Sequence, residues 1–120
     1  MKTVIEIPGD EFERELREMT IPMLVHFYNS WCTHCEILAP SLAALANQLK
    51  YEILVTKVNL DLCPELAKRY GIAQVPTLIL FEAGLPIARL DVSMSPRRMK
   101  VQLQGLLADY APYPRMAVGR

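Results

Sequence analysis

No stretch of the 120-residue chain is apolar for long enough to span a bilayer. Neither sign of charge is in excess: 13 Lys and Arg stand against 13 Asp and Glu. Such a chain lacks the basic surface that attracts nucleic acid or an anionic membrane, so neither is expected as a partner. The start, Met1-Lys2-Thr3-Val4-Ile5-Glu6, meets an acid too early to read as a signal peptide, and a cytoplasmic location is expected. Cysteine is scarce. Three residues, unevenly placed, are too few for a structural disulfide framework. There is no internal repeat and no linker. With 52% hydrophobic and 22% charged residues, the composition suits one domain with one core rather than a disordered chain. We place that domain at residues 1–110, followed by a loose tail at residues 111–120, where Pro112 and Pro114 interrupt any period.

What chemistry the chain carries is concentrated in Trp31-Cys32-Thr33-His34-Cys35. An apolar run, Met23–Tyr28, precedes it and a helical pattern follows, with Leu38, Leu42, Leu45 and Leu49 at i, i+4, i+7 and i+11. Two cysteines two residues apart at a strand-to-helix junction can close a disulfide within one helical turn. The first then sits at the helix N-terminus, where unpaired N–H groups favour a thiolate. A thiolate beside a second thiol is the equipment for thiol–disulfide exchange.

The remaining elements follow from period and punctuation. Thr3–Ile7 predicts a short first strand. Asp10 with Glu13 three residues on predicts a capping box for a helix whose stripe is Phe12, Leu16 and Met19. The near-continuous apolarity of Met23–Tyr28 predicts a central strand buried on both faces, in which His26 is conspicuous. Pro40 falls inside the next helix and should kink it. Ile53–Leu60 is a third strand carrying Lys57, and Asp61–Tyr70 a short helix with Pro64 in its first turn and Gly71 as its stop. Thr77–Phe81 and Ile87–Val92 form a hairpin about Ala83-Gly84-Leu85-Pro86. Ser95-Pro96 opens a last helix with Met99, Leu103, Leu106, Leu107 and Tyr110 on its buried face. The sum is an α/β domain: a central mixed five-stranded sheet flanked by four helices, the last two strands an antiparallel hairpin.

In this order of elements the chain resembles the thioredoxin family. Trp31-Cys32-x-x-Cys35 with Pro40 resembles the active-site helix of that family. Val75-Pro76-Thr77 resembles its cis-proline loop, Phe81-x-x-Gly84 the hairpin turn, and Lys57-Val58-Asn59-x-Asp61 the third strand and its exit. The similarity runs from about Val4 to Tyr110 and implies a thioredoxin fold and a protein-disulfide oxidoreductase needing no bound cofactor and no metal. It implies Cys32 as nucleophile, Cys35 as resolving thiol, Pro76 in cis against the sulfurs, and Trp31 covering the site. Val75 and Thr77 would bind an extended substrate segment by strand addition. The implied partners are disulfide-containing proteins and a reductant, either a thioredoxin reductase or a small thiol, acting on a monomer.

The chain also departs from the family pattern. Thr33-His34 replaces the usual Gly-Pro between the cysteines. An imidazolium near the helix start favours the Cys32 thiolate and makes the disulfide more oxidising. The expected potential lies between about −270 mV, near thioredoxin, and about −180 mV, near protein disulfide isomerase. His26 stands where the family keeps a buried aspartate, with Lys57 retained beside it. Burial and like charge should hold this imidazole neutral. Two readings stand side by side: a general base for Cys35 tuned by Lys57, and a packed core histidine. Glu36 replaces a common lysine, and Gln74 and Val92 replace small residues on the docking surface, which should narrow the range of partners, the usual flavin reductase included. Cys63, before Pro64 at a helix start, reads either as a reactive thiol or as a small packed side chain.

Three other readings compete. A zinc site using Cys32, His34, Cys35 and Cys63 lacks a second ligand pair at suitable spacing. A non-catalytic adaptor sits badly with the retained Trp31, Cys32, Cys35 and Pro76. A thiol oxidase or isomerase role shares the chemistry and differs in the direction of electron flow.

Overall fold

The computed structural model describes residues 4–49, 52–91, 95, 97–98 and 101–105. Five strands are present: β1 (Ile5–Glu6), β2 (Met23–Tyr28), β3 (Leu54–Asn59), β4 (Thr77–Glu82) and β5 (Leu85–Asp91). Three helices have defined bounds: α1 (Phe12–Glu18), α2 (Thr33–Gln48) and α3 (Pro64–Arg69). A fourth helical segment is described at residues 97–98 and 101–105. The strand order is β1-β3-β2-β4-β5. β1, β3 and β2 run parallel, and β4 and β5 are antiparallel additions.

β2 is the axis of the sheet. It is buried along Met23–Phe27, as its unbroken apolarity predicts, because α-helices cover both faces. Leu24 faces a cluster with Leu38, Leu42 and Ala46 of α2, with Leu103 of the last helical segment beside them. Met23, Val25 and Phe27 point the other way, into a cluster with Phe12 and Leu16 of α1 and Leu66 of α3. The two-residue period of a strand therefore sends His26 to the α2 face, under the helix that carries the cysteines.

Several local expectations need correction. Residues Gly9–Glu11 wind as a 3-10 turn and α1 begins at Phe12, so Asp10 is not at the cap. No side-chain cap bond forms there, and the Glu13 carboxylate instead accepts from Arg69 and Tyr70, 3.1 Å each. α3 is shorter than predicted, because Leu60–Leu62 form a separate 3-10 turn before Pro64 takes the first helical position. The hairpin turn is tighter: only Ala83 and Gly84 connect β4 to β5, with φ of 54° and 81°. At the other end Ser95 does act as a cap, its Oγ accepting from Arg98 N at 3.3 Å. Val92, Pro96, Met99, Leu106, Leu107, Tyr110 and the tail at residues 111–120 lie outside the described residues.

Candidate active site

α2 starts at the C-terminal end of β2, and the loop between them is braced from both sides. Asn29 Oδ1 accepts from Trp31 N at 3.0 Å. Asp61 Oδ2 accepts from Ser30 N at 3.0 Å, while Asn59 Oδ1 accepts from Asp61 N at 2.8 Å. These short polar side chains hold backbone N–H groups where regular structure stops. Cys32 is left as the N-cap of α2, with its Sγ accepting from Cys35 N at 3.1 Å. Cys32 and Cys35 are joined by a disulfide across a Cα–Cα distance of 5.2 Å. Both are buried, whereas Thr33, His34 and Glu36 are exposed. The same N–H that touches Cys32 Sγ in the disulfide would stabilise a thiolate there.

The Val75–Pro76 bond is cis. Pro76 is buried and Val75 half-buried, while Gln74 is exposed. Thr77 does not face a substrate with its side chain: it is fully buried at the start of β4, and its hydroxyl donates to Gln74 O at 2.6 Å. It ties the loop down instead. Trp31 also departs from expectation. Its side chain is 89% exposed, so the indole does not roof the sulfurs; their cover comes from the fold around them.

His26 lies under this site. It is 5% exposed, and no protein group among the described residues reaches its Nε2. In the parallel register it stands beside Lys57, which in turn stands beside Glu6. Burial first, and then the Lys57 ammonium, push the imidazole down to about 4. The neutral ring expected from the sequence is what the geometry provides. Lys57 is drawn to Glu6 at 3.9 Å and lies 5.7 Å from the centroid of the Tyr28 ring. Tyr28 donates to the Glu6 carboxylate at 2.7–2.8 Å; burial and that carboxylate raise the phenol to about 12. A cavity of about 200 Å³ joins these groups to the sulfurs, lined among others by His26, Tyr28, Cys32, Cys35, Glu36 and Lys57.

Cys63 is set apart. It belongs to the cluster on the opposite face of the sheet, with Phe12 and Leu66. The helix start does not activate it: burial and the nearby Glu65 carboxylate push its thiol up, and its Sγ lies 3.7 Å from Glu65 Oε2. Gly9 packs so closely on it that an added Cβ would collide with Cys63 Sγ and Cβ. It is a packing residue. Among the described residues no three His, Cys, Asp or Glu side chains gather to hold a metal, and no helix is long and apolar enough to cross a membrane.

Sequence reasoning missed Glu6, Tyr28 and Asn29. Asn29 carried a usable signal, a turn-forming amide just before the cysteines. Glu6 carried none, since only the pairing register brings it to Lys57.

A closed Cys-x-x-Cys pair at a helix start, following a strand whose end pairs at Phe27 with Thr77, the residue after the cis proline, defines a centre for dithiol–disulfide exchange. The comparisons with known proteins agree. The thioredoxin family model matches residues 3–104. Thioredoxin 1 of Nostoc sp. is 36% identical over 84 residues, 70% of this chain and 78% of that protein. The thioredoxin of Alicyclobacillus acidocaldarius is 40% identical over 88 residues, 73% of this chain and 80% of its own. A bifunctional thioredoxin reductase/thioredoxin of Mycobacterium leprae is 33% identical over 86 residues, 72% of this chain but 19% of that longer protein. The chain belongs to the thioredoxin family. Its activity is thiol–disulfide exchange, that of a protein-disulfide oxidoreductase.

Proposed function

We propose that the reaction runs through Cys32 as attacking thiolate and Cys35 as resolving thiol, with His26 as the base that takes the Cys35 proton. Cys32 attacks a substrate disulfide, forming a mixed disulfide and releasing one substrate thiol. Cys35 gives its proton to His26 Nε2 and its thiolate attacks Cys32 Sγ. The S–S bond closes between the two cysteines, and the second substrate sulfur leaves and is protonated. The observation that carries this reading is the buried, unpartnered Nε2 in the cavity that Cys35 also lines. In its Nδ1–H tautomer the ring keeps a free lone pair there, and the cavity is roomy and polar enough for water to bridge the two groups. Burial first, and Lys57 beside it, hold the ring neutral in the resting state.

The rest of the reading follows the same surface. The cis bond before Pro76 leaves the Val75 backbone available to pair with an extended substrate segment. His34, exposed in the first turn of α2, shifts the couple towards oxidation. The reductant is a thioredoxin reductase or a small thiol; the Mycobacterium leprae relative, named for both activities, supports the first. A reducing compartment, the cytoplasm, and a monomeric state complete it. The test is the decay of a pre-formed Cys32–peptide mixed disulfide. His26→Leu should slow it by about 100-fold at neutral pH. An unchanged rate would leave His26 as a core residue only.

A further inference from the structure

The cavity beneath the sulfurs is lined by no residue of the Gln74–Thr77 loop. It is therefore not the place where an extended protein segment pairs with Val75. At about 200 Å³ it is smaller than the usual pocket for a drug-sized ligand. Cys32, Cys35 and His26 are buried within it, whereas Glu36 and Ala39 are exposed and the Lys57 side chain is 42% exposed. The deep part is thus reached across a rim bearing one carboxylate and one ammonium. Lys57 has Glu6 at 3.9 Å on its other side, where the Tyr28 hydroxyl also donates a hydrogen bond to Glu6, which leaves Glu36 as the anion on the cavity wall.

We propose that this cavity docks a small zwitterionic thiol, of the cysteine class, that reduces the Cys32–Cys35 disulfide directly. Its carboxylate meets Lys57, its ammonium meets Glu36, and its sulfur reaches Cys32, which also lines the cavity. The proposal rests on the exchange chemistry and the His26 role assigned above. The donor S–H gives its proton to His26 Nε2. The donor sulfur bonds to Cys32 Sγ and the Cys32–Cys35 bond breaks. The electron pair leaves on Cys35 Sγ, and the proton on His26 passes to that sulfur, the reverse of the closing step assigned above. A second donor thiol then attacks the sulfur of the first. The symmetrical donor disulfide departs and Cys32 is released as a thiol, so two donor thiols are oxidised and one disulfide is reduced.

The experiment reduces the oxidised full chain with L-cysteine, cysteamine, 3-mercaptopropionate or 2-mercaptoethanol, counting free thiols by mass spectrometry after acid quench. Each rate is divided by the rate of the same thiol with hydroxyethyl disulfide, which removes intrinsic nucleophilicity. One partly exposed charge contact is worth about threefold. L-Cysteine should therefore exceed 2-mercaptoethanol by about tenfold after normalisation and should saturate, with the singly charged thiols between. Glu36→Gln should remove about threefold of that advantage. Four normalised rates that coincide and rise linearly with concentration would overturn the docking site. Insulin reduction driven by dithiothreitol separates the two levels. If it proceeds while L-cysteine shows no preference, the docking site alone falls; if it fails, the exchange reading falls with it.

Discussion

A histidine held neutral by burial makes the protein sensitive to acid in a way that can be worked out. His26 titrates near 6.5 in an unfolded chain and near about 4 in the folded one. Above the higher value both states are neutral and the residue contributes no pH dependence. Between the two values the unfolded chain binds a proton that the folded chain refuses, so stability falls as pH falls. Each unit of difference is worth about 1.4 kcal/mol, and the full loss by about pH 4 is about 3 kcal/mol, a large part of the stability of a small domain. Other groups titrate in this range, so the measurement is a difference. Urea unfolding of the wild type and of His26→Leu is followed from about pH 4 to about pH 8. Near neutrality the variant should range from equal to more stable by about 1 kcal/mol, since it removes a buried nitrogen with no protein partner. Towards acid the two curves should separate, with the variant gaining about 3 kcal/mol on the wild type. Curves that stay parallel across the range would refute the claim that burial and Lys57 hold this imidazole neutral.

Three further outcomes are expected. Against glutathione buffers the potential should lie between about −270 and about −180 mV, and His34→Ala should lower it by about 20 mV, the worth of one exposed charge at a helix start; a value unmoved by the change would remove His34 from redox tuning. Gly9→Ala should cost about 1–3 kcal/mol by denaturant titration through the collision with Cys63, and Cys63→Ala in the same chain should recover part of it; purely additive effects would contradict the contact. Ala83→Asn should raise stability by about 0.5–1 kcal/mol, because a left-handed φ of 54° in a two-residue hairpin turn suits asparagine better than alanine.

How much of this was legible in the sequence depended on the range of the interaction. Period and punctuation located all five strands, since β2 is buried on both faces and reads as one apolar run. Cys32, Cys35 and Pro76 were legible as a constellation, and the cis bond and the closed pair are present. Even the state of His26 could be reasoned, because an apolar run implies burial and Lys57 implies like charge. What failed was set by neighbours far away in sequence or by a one-residue shift. Cys63 stands at a helix start in the sequence, but Gly9 and the second core cluster decide its surroundings. Asp10 lost its capping role when the chain wound one tighter turn before α1. Trp31 borders buried sulfurs yet points to solvent, a rotamer choice that spacing does not encode. Glu6 reaches the site only through the register of a two-residue strand.

The division of labour between the two sulfurs is tested most directly by trapping. Cys35→Ser protein is incubated with a disulfide-bonded peptide and the adduct is mapped by mass spectrometry. A peptide held stably on Cys32, with Cys63 unmodified in its buried cluster, is the predicted result. An adduct on Cys63, or none on Cys32 while Cys32→Ser protein captures the peptide through Cys35, would contradict it.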